Sequence, residues 1–185
     1  AHRWGPKRDY DDRYAAPARA LEAGVRTINL GVLLGLTDPV RDLLALHRHV
    51  IELRRRYWKS GVAVSFPRIR PETGGYEAVH PVDDRQLAQI VFAFRLALPD
   101  VPLVFSTRES PGFRDAMAGL GICRMSAGSR TTVGGYATPA TTAGQFDVHD
   151  RRSVSEITAS LRTLGFDPIF KNSDAVYRDP RGEMP

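Results

Sequence analysis

The stretch V-P-L-V-F-S-T-R-E-S-P, residues 101–111, decides how the chain is read. Five mostly apolar, β-favouring residues (Val101–Phe105) give way to Ser106, Thr107, Arg108, Glu109 and Ser110, and Pro111 stands where a helix begins. A short apolar run bounded by turn signals reads as a buried parallel strand. Ser followed by Pro supplies an N-cap and a first-turn residue. The piece is strand, polar tip, helix, with a charged pair at the strand's C-terminal end, where parallel α/β folds bind ligands.

The same unit recurs on both sides. An Ala-rich helix over 13–23, closed by Gly24, leads to a strand and exit loop over 25–36. Thr37-Asp38-Pro39 caps a helix from about Val40 to Trp58, with Asp42 in its first turn and Leu43, Leu44, Leu46, His47, Val50, Ile51 and Leu53 on its inward stripe. His47 and His49 are two apart, face different directions and cannot share a metal from one face. A strand over 62–66 precedes a helix opened by Asp83 or Asp84 and running to Leu98, with Leu87, Ile90, Val91, Phe94 and Leu98 inward. The 101–105 strand is followed by a helix to about Leu120 and a fourth strand over 122–125. A Gly/Thr-rich loop then reaches Asp150, and Ser153-Val-Ser-Glu156 is a capping box for a last helix to Leu164, stopped by Gly165. Strand–helix alternation, four times over, demands a parallel sheet with right-handed crossovers. Four units make half of an eight-stranded (β/α)8 barrel of the TIM type and, less naturally, a complete doubly wound sheet; no G-x-G-x-x-G follows a strand.

Composition sets limits. The chain has 185 residues, 42% hydrophobic and 25% charged, enough for one domain with a real core. No run approaches the roughly 20 apolar residues of a membrane span, and the first ten residues lack a signal-peptide core; they carry no initiator Met and look like the middle of something. The net charge of +5 comes mostly from dispersed Arg among 21 acids, which reads as solvated helix faces and caps rather than a nucleic-acid patch. The one cysteine, Cys123, excludes an internal disulfide framework and a cysteine-only metal site, and fits a reduced, cytoplasmic setting. Its place beside Ile122 reads as a buried strand thiol.

In a barrel the four strand ends converge. They present Asn29 and Gly31–Gly35; Ser65, Arg68 and Arg70; Ser106, Thr107, Arg108 and Glu109; and Ser126, Gly128 and Ser129. Arg on such a rim suits a carboxylate or phosphate through bidentate geometry, or braces the barrel against a neighbouring acid; Glu109 reads as such a brace. The Gly positions let backbone approach a flat ligand such as an adenine. The rim holds no Ser-His-Asp arrangement, no metal-ligand cluster and no histidine.

The runs S-F-P-R-I-R-P (65–71), F-S-T-R-E-S-P-G-F-R-D (105–115), M-S-A-G-S (125–129) and G-G-Y (134–136) resemble the 2-iminoacetate synthases, the radical S-adenosylmethionine tyrosine lyases of thiamine biosynthesis. G-P-K-R-D-Y-D-D-R (5–13), G-V-L-L-G-L (31–36), Q-F (145–146) and D-x-R-S (150–153) also look like that family. The combination is shared in part with the tyrosine lyase of iron-hydrogenase maturation and the tryptophan lyase of nosiheptide synthesis, and more distantly with biotin synthase. The resemblance implies a (β/α)8 barrel in which a 4Fe-4S cluster cleaves S-adenosylmethionine and tyrosine is split at Cα–Cβ into p-cresol and 2-iminoacetate (dehydroglycine) for the thiazole ring. The family's C-x-x-x-C-x-x-C motif has no match here. The chain then corresponds to the C-terminal half, a single domain over 1–185 with the biotin and thiamin synthesis associated region at about 25–160, and should not bind the cluster or turn over by itself.

Carried over residue by residue, the resemblance implies that Arg108 holds the substrate carboxylate and Ser126 contacts the substrate. It gives Arg68 and Arg70 the lining or bracing of the cavity. Gly31, Leu33 and Gly35 fall in the segment lying along the adenine of S-adenosylmethionine, and Arg8 and Arg13 match cofactor-side positions. It also implies L-tyrosine as substrate, thiazole synthase as a partner, and an electron donor such as flavodoxin or ferredoxin. A stand-alone half barrel serving as a binding or scaffold module is the alternative from another class. A phosphate-ligand barrel enzyme has only M-S-A-G-S as a foothold.

Overall fold

The computed structural model describes residues 5, 8–69, 76–131 and 148–170. The elements are α1 (Tyr10–Glu22), β1 (Thr27–Gly31), α2 (Pro39–Arg56), β2 (Gly61–Ser65), α3 (Asp84–Ala97), β3 (Leu103–Phe105), α4 (Pro111–Met117), β4 (Arg124–Met125) and α5 (Val154–Thr163). The four strands form one parallel sheet in the order β1-β2-β3-β4. Consecutive order means that each crossover advances the sheet the same way. A doubly wound sheet would reverse at a switch point, so the arrangement is a sector of a (β/α) barrel, as the alternation of elements implies.

Local chemistry places the helices. Asp38 accepts a hydrogen bond from the Val40 N–H at 2.9 Å and Pro39 fills the first helical position of α2. Asp83 and Gln86 form a reciprocal capping box on α3, and Ser153 and Glu156 form one on α5. Ser110 caps α4 ahead of Pro111. α4 ends at Met117, short of the expected Leu120, because Gly119 and Gly121 take φ of +73° and +130° to turn the chain into β4.

Register divides the sheet into two faces, since alternate residues point to opposite sides. Leu30, Val62, Val64, Leu103 and Phe105 lie in one hydrophobic cluster with Leu46, Val50 and Leu53 of α2 and Leu87, Val91 and Phe94 of α3. The opposite face carries Thr27, Asn29 and Gly31 of β1 against Gly61, Ala63 and Ser65 of β2, with Val104 beyond Ser65. It is small and polar, and exposed at Asn29 and Gly31. Parallel strands are ordinarily covered on both sides, so this face reads as the lumen side of the barrel sector.

Two sequence expectations fail here. Leu44, assigned to the inward stripe of α2, is 52% exposed, whereas Leu46 is buried. At 100° per residue the two lie about 200° apart, so a helix packed on one side cannot bury both. Cys123 is exposed rather than a buried strand thiol. β4 pairs for only two residues, and Ile122 takes the inward position beside it.

Truncating the two leucines separates these environments. Leu46→Ala is expected to cost about 2–5 kcal/mol of unfolding free energy, and Leu44→Ala about 0.5 kcal/mol or less. Chemical denaturation of both variants measures the difference; equal losses would contradict the placement of the stripe.

Candidate functional site

The register aligns the C-terminal strand ends: Gly31 stands opposite Ser65, Ser65 opposite Val104, and Phe105 opposite Met125. The exit segments of β1 and β2 stay paired beyond the strands. The Leu34 N–H donates to the Pro67 carbonyl at 2.8 Å and the Ile69 N–H to the Leu34 carbonyl at 2.9 Å. Asn29 Nδ2 also donates to Ser65 Oγ at 3.1 Å. The glycines of this segment serve the chain's own packing. A Cβ on Gly31 would lie 2.6 Å from Ser65 Oγ and 2.8 Å from the Ser65 carbonyl oxygen. Gly35 is buried at φ +111°, and a Cβ there would lie 3.1 Å from Ala78 Cβ and 3.2 Å from Ile69 Cδ1. Gly31 remains exposed toward the open face and Leu33 is half-buried.

The second and third tips are joined by an ion pair. Arg68 is 4% exposed and Glu109 2%. Arg68 Nε and Nη2 engage the two Glu109 carboxylate oxygens, Nη2 also reaches Asp84 Oδ1 at 2.7 Å, and Nη1 donates to the Val82 carbonyl at 3.0 Å. The guanidinium lies 5.6 Å from the centre of the Phe113 ring. Burial alone would lower the Arg68 pKa, but the hydrogen bonds and charges of Glu109 and Asp84 more than offset it and raise it. Glu109 thus braces a neighbouring Arg as its sequence position suggests, and Arg68 sits beneath the rim rather than on it.

At the third tip alternate residues part company. Phe105, Thr107 and Glu109 are buried, while Ser106, Arg108 and Ser110 are half-buried. Arg108 Nη1 donates to the Arg68 carbonyl at 3.4 Å, placing its side chain across the second tip. Ser126 continues β4, half-buried, with its N–H donating to the Phe105 carbonyl at 2.9 Å. Arg108, Ser106 and Ser126 are therefore brought to the same end of the sheet. Arg8 and Arg13 are exposed at the start of α1. Arg70, G-G-Y and Q-F lie outside the described residues.

Between the third and fourth tips lies a network that sequence reading did not find. Arg114 of α4 and Asp150 are both 0% exposed and form an ion pair through Nη1. Arg114 Nη2 donates to the Ser126 carbonyl, and the Asp150 N–H donates to the Thr107 carbonyl at 3.1 Å. Arg152 grips Asp150 through Nε (3.0 Å) and Nη2 (2.8 Å), and holds Asp115 with a fork at 2.8 and 3.0 Å. Ser160 of α5 donates to Asp115 at 2.8 Å. The available signal was the recurrence of R-D at 114–115 and D-x-R at 150–152 among the quoted motifs, which nothing local connects. Burial pulls the Asp150 and Asp115 carboxyls upward, yet Arg152's hydrogen bonds, Ser160's on Asp115, and the neighbouring guanidinium charges hold both below their ordinary value.

The arrangement can bind a carboxylate or another small anion against Arg108, with hydroxyls at Ser106 and Ser126 to orient it. Among the described residues no three His, Cys, Asp or Glu side chains gather where they could hold a metal ion.

Removing Glu109 takes from Arg68 its buried carboxylate and leaves only the exposed Asp84 as an ionic partner, so Glu109→Ala is expected to cost about 3 kcal/mol, and the double variant Arg68→Met, Glu109→Leu much less. Denaturant titration of the two reads this directly. Acid provides a second check. Carboxyls whose folded pKa is depressed contribute stability that is full above the unfolded value of about 4 and lost as pH falls through the folded one. The melting temperature should therefore hold down to about pH 4 and drop below it, and Asp115→Asn should flatten the drop. An unchanged slope in that variant would remove Asp115 as a cause.

Residues 65–167, more than half of the chain, match the Biotin and Thiamin Synthesis associated domain. Over 175 residues the chain is 43% identical to the 2-iminoacetate synthase of Escherichia coli (strain K12) and 41% identical to that of Salmonella typhimurium (strain LT2), each alignment covering 94% of this chain and 46% of the relative. The chain thus spans about half the length of the curated relatives it matches. Among solved structures it is similar to HydG, a maturase of the FeFe-hydrogenase, with a TM-score of 0.80 and 38% identity over 89% of this chain and 36% of that one. It is also similar to the FeFe-hydrogenase maturase HydG from Carboxydothermus hydrogenoformans, with a TM-score of 0.79 and 35% identity over 90% of this chain and 38% of that one. A matched family model, a parallel sheet in consecutive order and four aligned polar tips agree: the chain belongs to the family of biotin and thiamin synthesis associated domains.

Proposed function

We propose that the chain is the C-terminal portion of a radical S-adenosylmethionine lyase that cleaves the Cα–Cβ bond of L-tyrosine to p-cresol and 2-iminoacetate for the thiazole moiety of thiamine. In this reading the rim holds the amino-acid carboxylate through Arg108. The observation that carries it is the placement of Arg108: half-buried, leaning across a neighbouring tip, and at the same strand end as Ser126. The 43% identity to a 2-iminoacetate synthase supports the choice of amino acid and of reaction.

In this reading S-adenosylmethionine and a 4Fe-4S cluster would supply the radical chemistry of the complete enzyme. The described residues do not fit the cluster: the one cysteine is exposed beside Arg95, 3.9 Å from its Nη2, and no metal-holding group surrounds it. Its ligands belong in this reading to the remaining half. Toward S-adenosylmethionine the chain offers its open face at β1, where Asn29 and Gly31 are exposed and β1 edges the sheet. Gly31, Leu33 and Gly35 would supply backbone there, with Gly35 acting from beneath. Arg68 serves the site by fixing the second and third tips, and Arg70 by lining the cavity. Arg8 and Arg13, at the start of α1, are assigned to the cofactor side on the sequence resemblance alone. Thiazole synthase and a flavodoxin or ferredoxin as electron donor are the partners that this reading implies, in the cytoplasm; no helix among the described residues is long and apolar enough to cross a membrane.

The reading is tested by fusing the chain to the remaining half of the Escherichia coli relative and assaying p-cresol release from tyrosine. The fusion is expected to be active, and Arg108→Ala to weaken tyrosine binding about 10- to 100-fold, the range for a charged hydrogen bond. A folded fusion that binds tyrosine equally well with and without Arg108 would defeat the assignment. One that binds no tyrosine would leave a scaffold half barrel.

A further inference from the structure

We infer that Arg114 and Asp150 are positioning residues for the ligand of this rim, a buried clamp that sets the spacing between the β3 tip bearing Arg108 and the β4 tip bearing Ser126. The ligand part of this inference rests on the reading above; the clamp itself does not.

The hydrogen bonds close a ring. Asp150 takes its backbone position from the Thr107 carbonyl, one residue before Arg108. Its carboxylate receives Arg114 Nη1, and Arg114 Nη2 goes to the carbonyl of Ser126 itself. Thr107, Asp150, Arg114 and Ser126 thus form a circuit across the gap between two strands that pair for only two residues. The ladder there is too short to fix the tips, and the circuit does so instead. Only a planar guanidinium serves both acceptors from one side chain at fixed angles; an ammonium is a point charge on a flexible stem. Arg114 Nε is buried without a hydrogen-bond partner, so the side chain is held by its two terminal nitrogens at the expense of the third. Outside the ring, Arg152 locks Asp150 to Asp115, and Ser160 ties Asp115 to α5. The clamp is anchored on two helices.

Geometry, rather than stability, explains such a pair. Buried ion pairs are often replaceable by packed apolar side chains without loss of stability, and this one lies between the two tips that carry the candidate ligand groups.

The test uses the chain fused to the remaining half as above, with Arg114→Met and Asp150→Leu together, and Arg114→Lys alone in case the pair fails to fold. The probes are L-tyrosine and L-tyrosinamide, which lacks the carboxylate, read by calorimetry. The wild-type fusion is expected to prefer tyrosine, and the variants to lose at least 10-fold of that preference while keeping a cooperative melt. A purely structural role would weaken both ligands alike or neither, and either outcome would overturn the inference. Hydrogen exchange supplies a ligand-independent arm. Amides of Arg108, Ser126 and Asp150 should exchange faster in the variants, while those of β1 and β2 do not change. Should the wild type bind neither probe, the tyrosine reading fails by itself, and the exchange pattern still decides the clamp: unchanged rates at Arg108 and Ser126 would refute it.

Discussion

A guanidinium taken out of water must find its hydrogen-bond partners, and two such groups set the geometry of this strand-end rim. Breaking a buried ion pair on one side costs about 3–5 kcal/mol, because the survivor is left charged and unsolvated. Arg68 is satisfied only by gathering Glu109, Asp84 and the Val82 carbonyl, which come from the β3 tip, the first turn of α3 and the segment before it. Arg114 places its two terminal nitrogens on Asp150 and the Ser126 carbonyl and leaves Nε unbonded. Each arginine therefore pulls separate loops to one place, the first joining tips two and three and the second joining tips three and four. Tips one and two need no such device, because their backbones remain paired through Leu34, Pro67 and Ile69.

Glu109 and Arg108 show how a single strand end serves two purposes. Alternation sends Thr107 and Glu109 into the protein and leaves Arg108 half-buried at the rim. Shifting the tip by one residue would exchange their places, burying the Arg108 guanidinium and exposing the carboxylate that neutralises Arg68. The position of the tip is thus held by electrostatics as well as by the hydrophobic face of β3, and the two agree.

Much of the fold was legible because its signals are local. Asp38-Pro39, Asp83, Ser110-Pro111 and Ser153–Glu156 each announce a helix start within four residues, and each caps the helix it announces. The alignment of the four tips followed from strand–helix alternation, and the bracing role of Glu109 from its place on the rim among the arginines of the converging tips. What could not be read was set by tertiary contact. Leu44 carries the same chemistry as Leu46, and only the side on which the sheet lies tells them apart. Cys123 is exposed because β4 is short, a property of pairing rather than of composition. The space at Gly31 and Gly35 is filled by Ser65, Ala78 and Ile69, which are 34 or more residues away from one glycine or the other along the chain. Arg114 and Asp150 are separated by 36 residues, a distance over which no periodicity or capping rule operates.

The charge balance bears on why Arg108 is the better candidate for a ligand than its neighbours. Within the inner network Arg114 and Arg152 face Asp150 and Asp115, two cations against two anions. Arg68 faces both Glu109 and Asp84, one cation against two anions. The guanidiniums of both sets are thus engaged by carboxylates of the protein itself. In the proposed reading a ligand anion reaching this end of the sheet meets Arg108, whose guanidinium donates to the Arg68 carbonyl across the second tip. In that reading a planar guanidinium on a fixed tip discriminates carboxylate geometry better than a diffuse basic patch does.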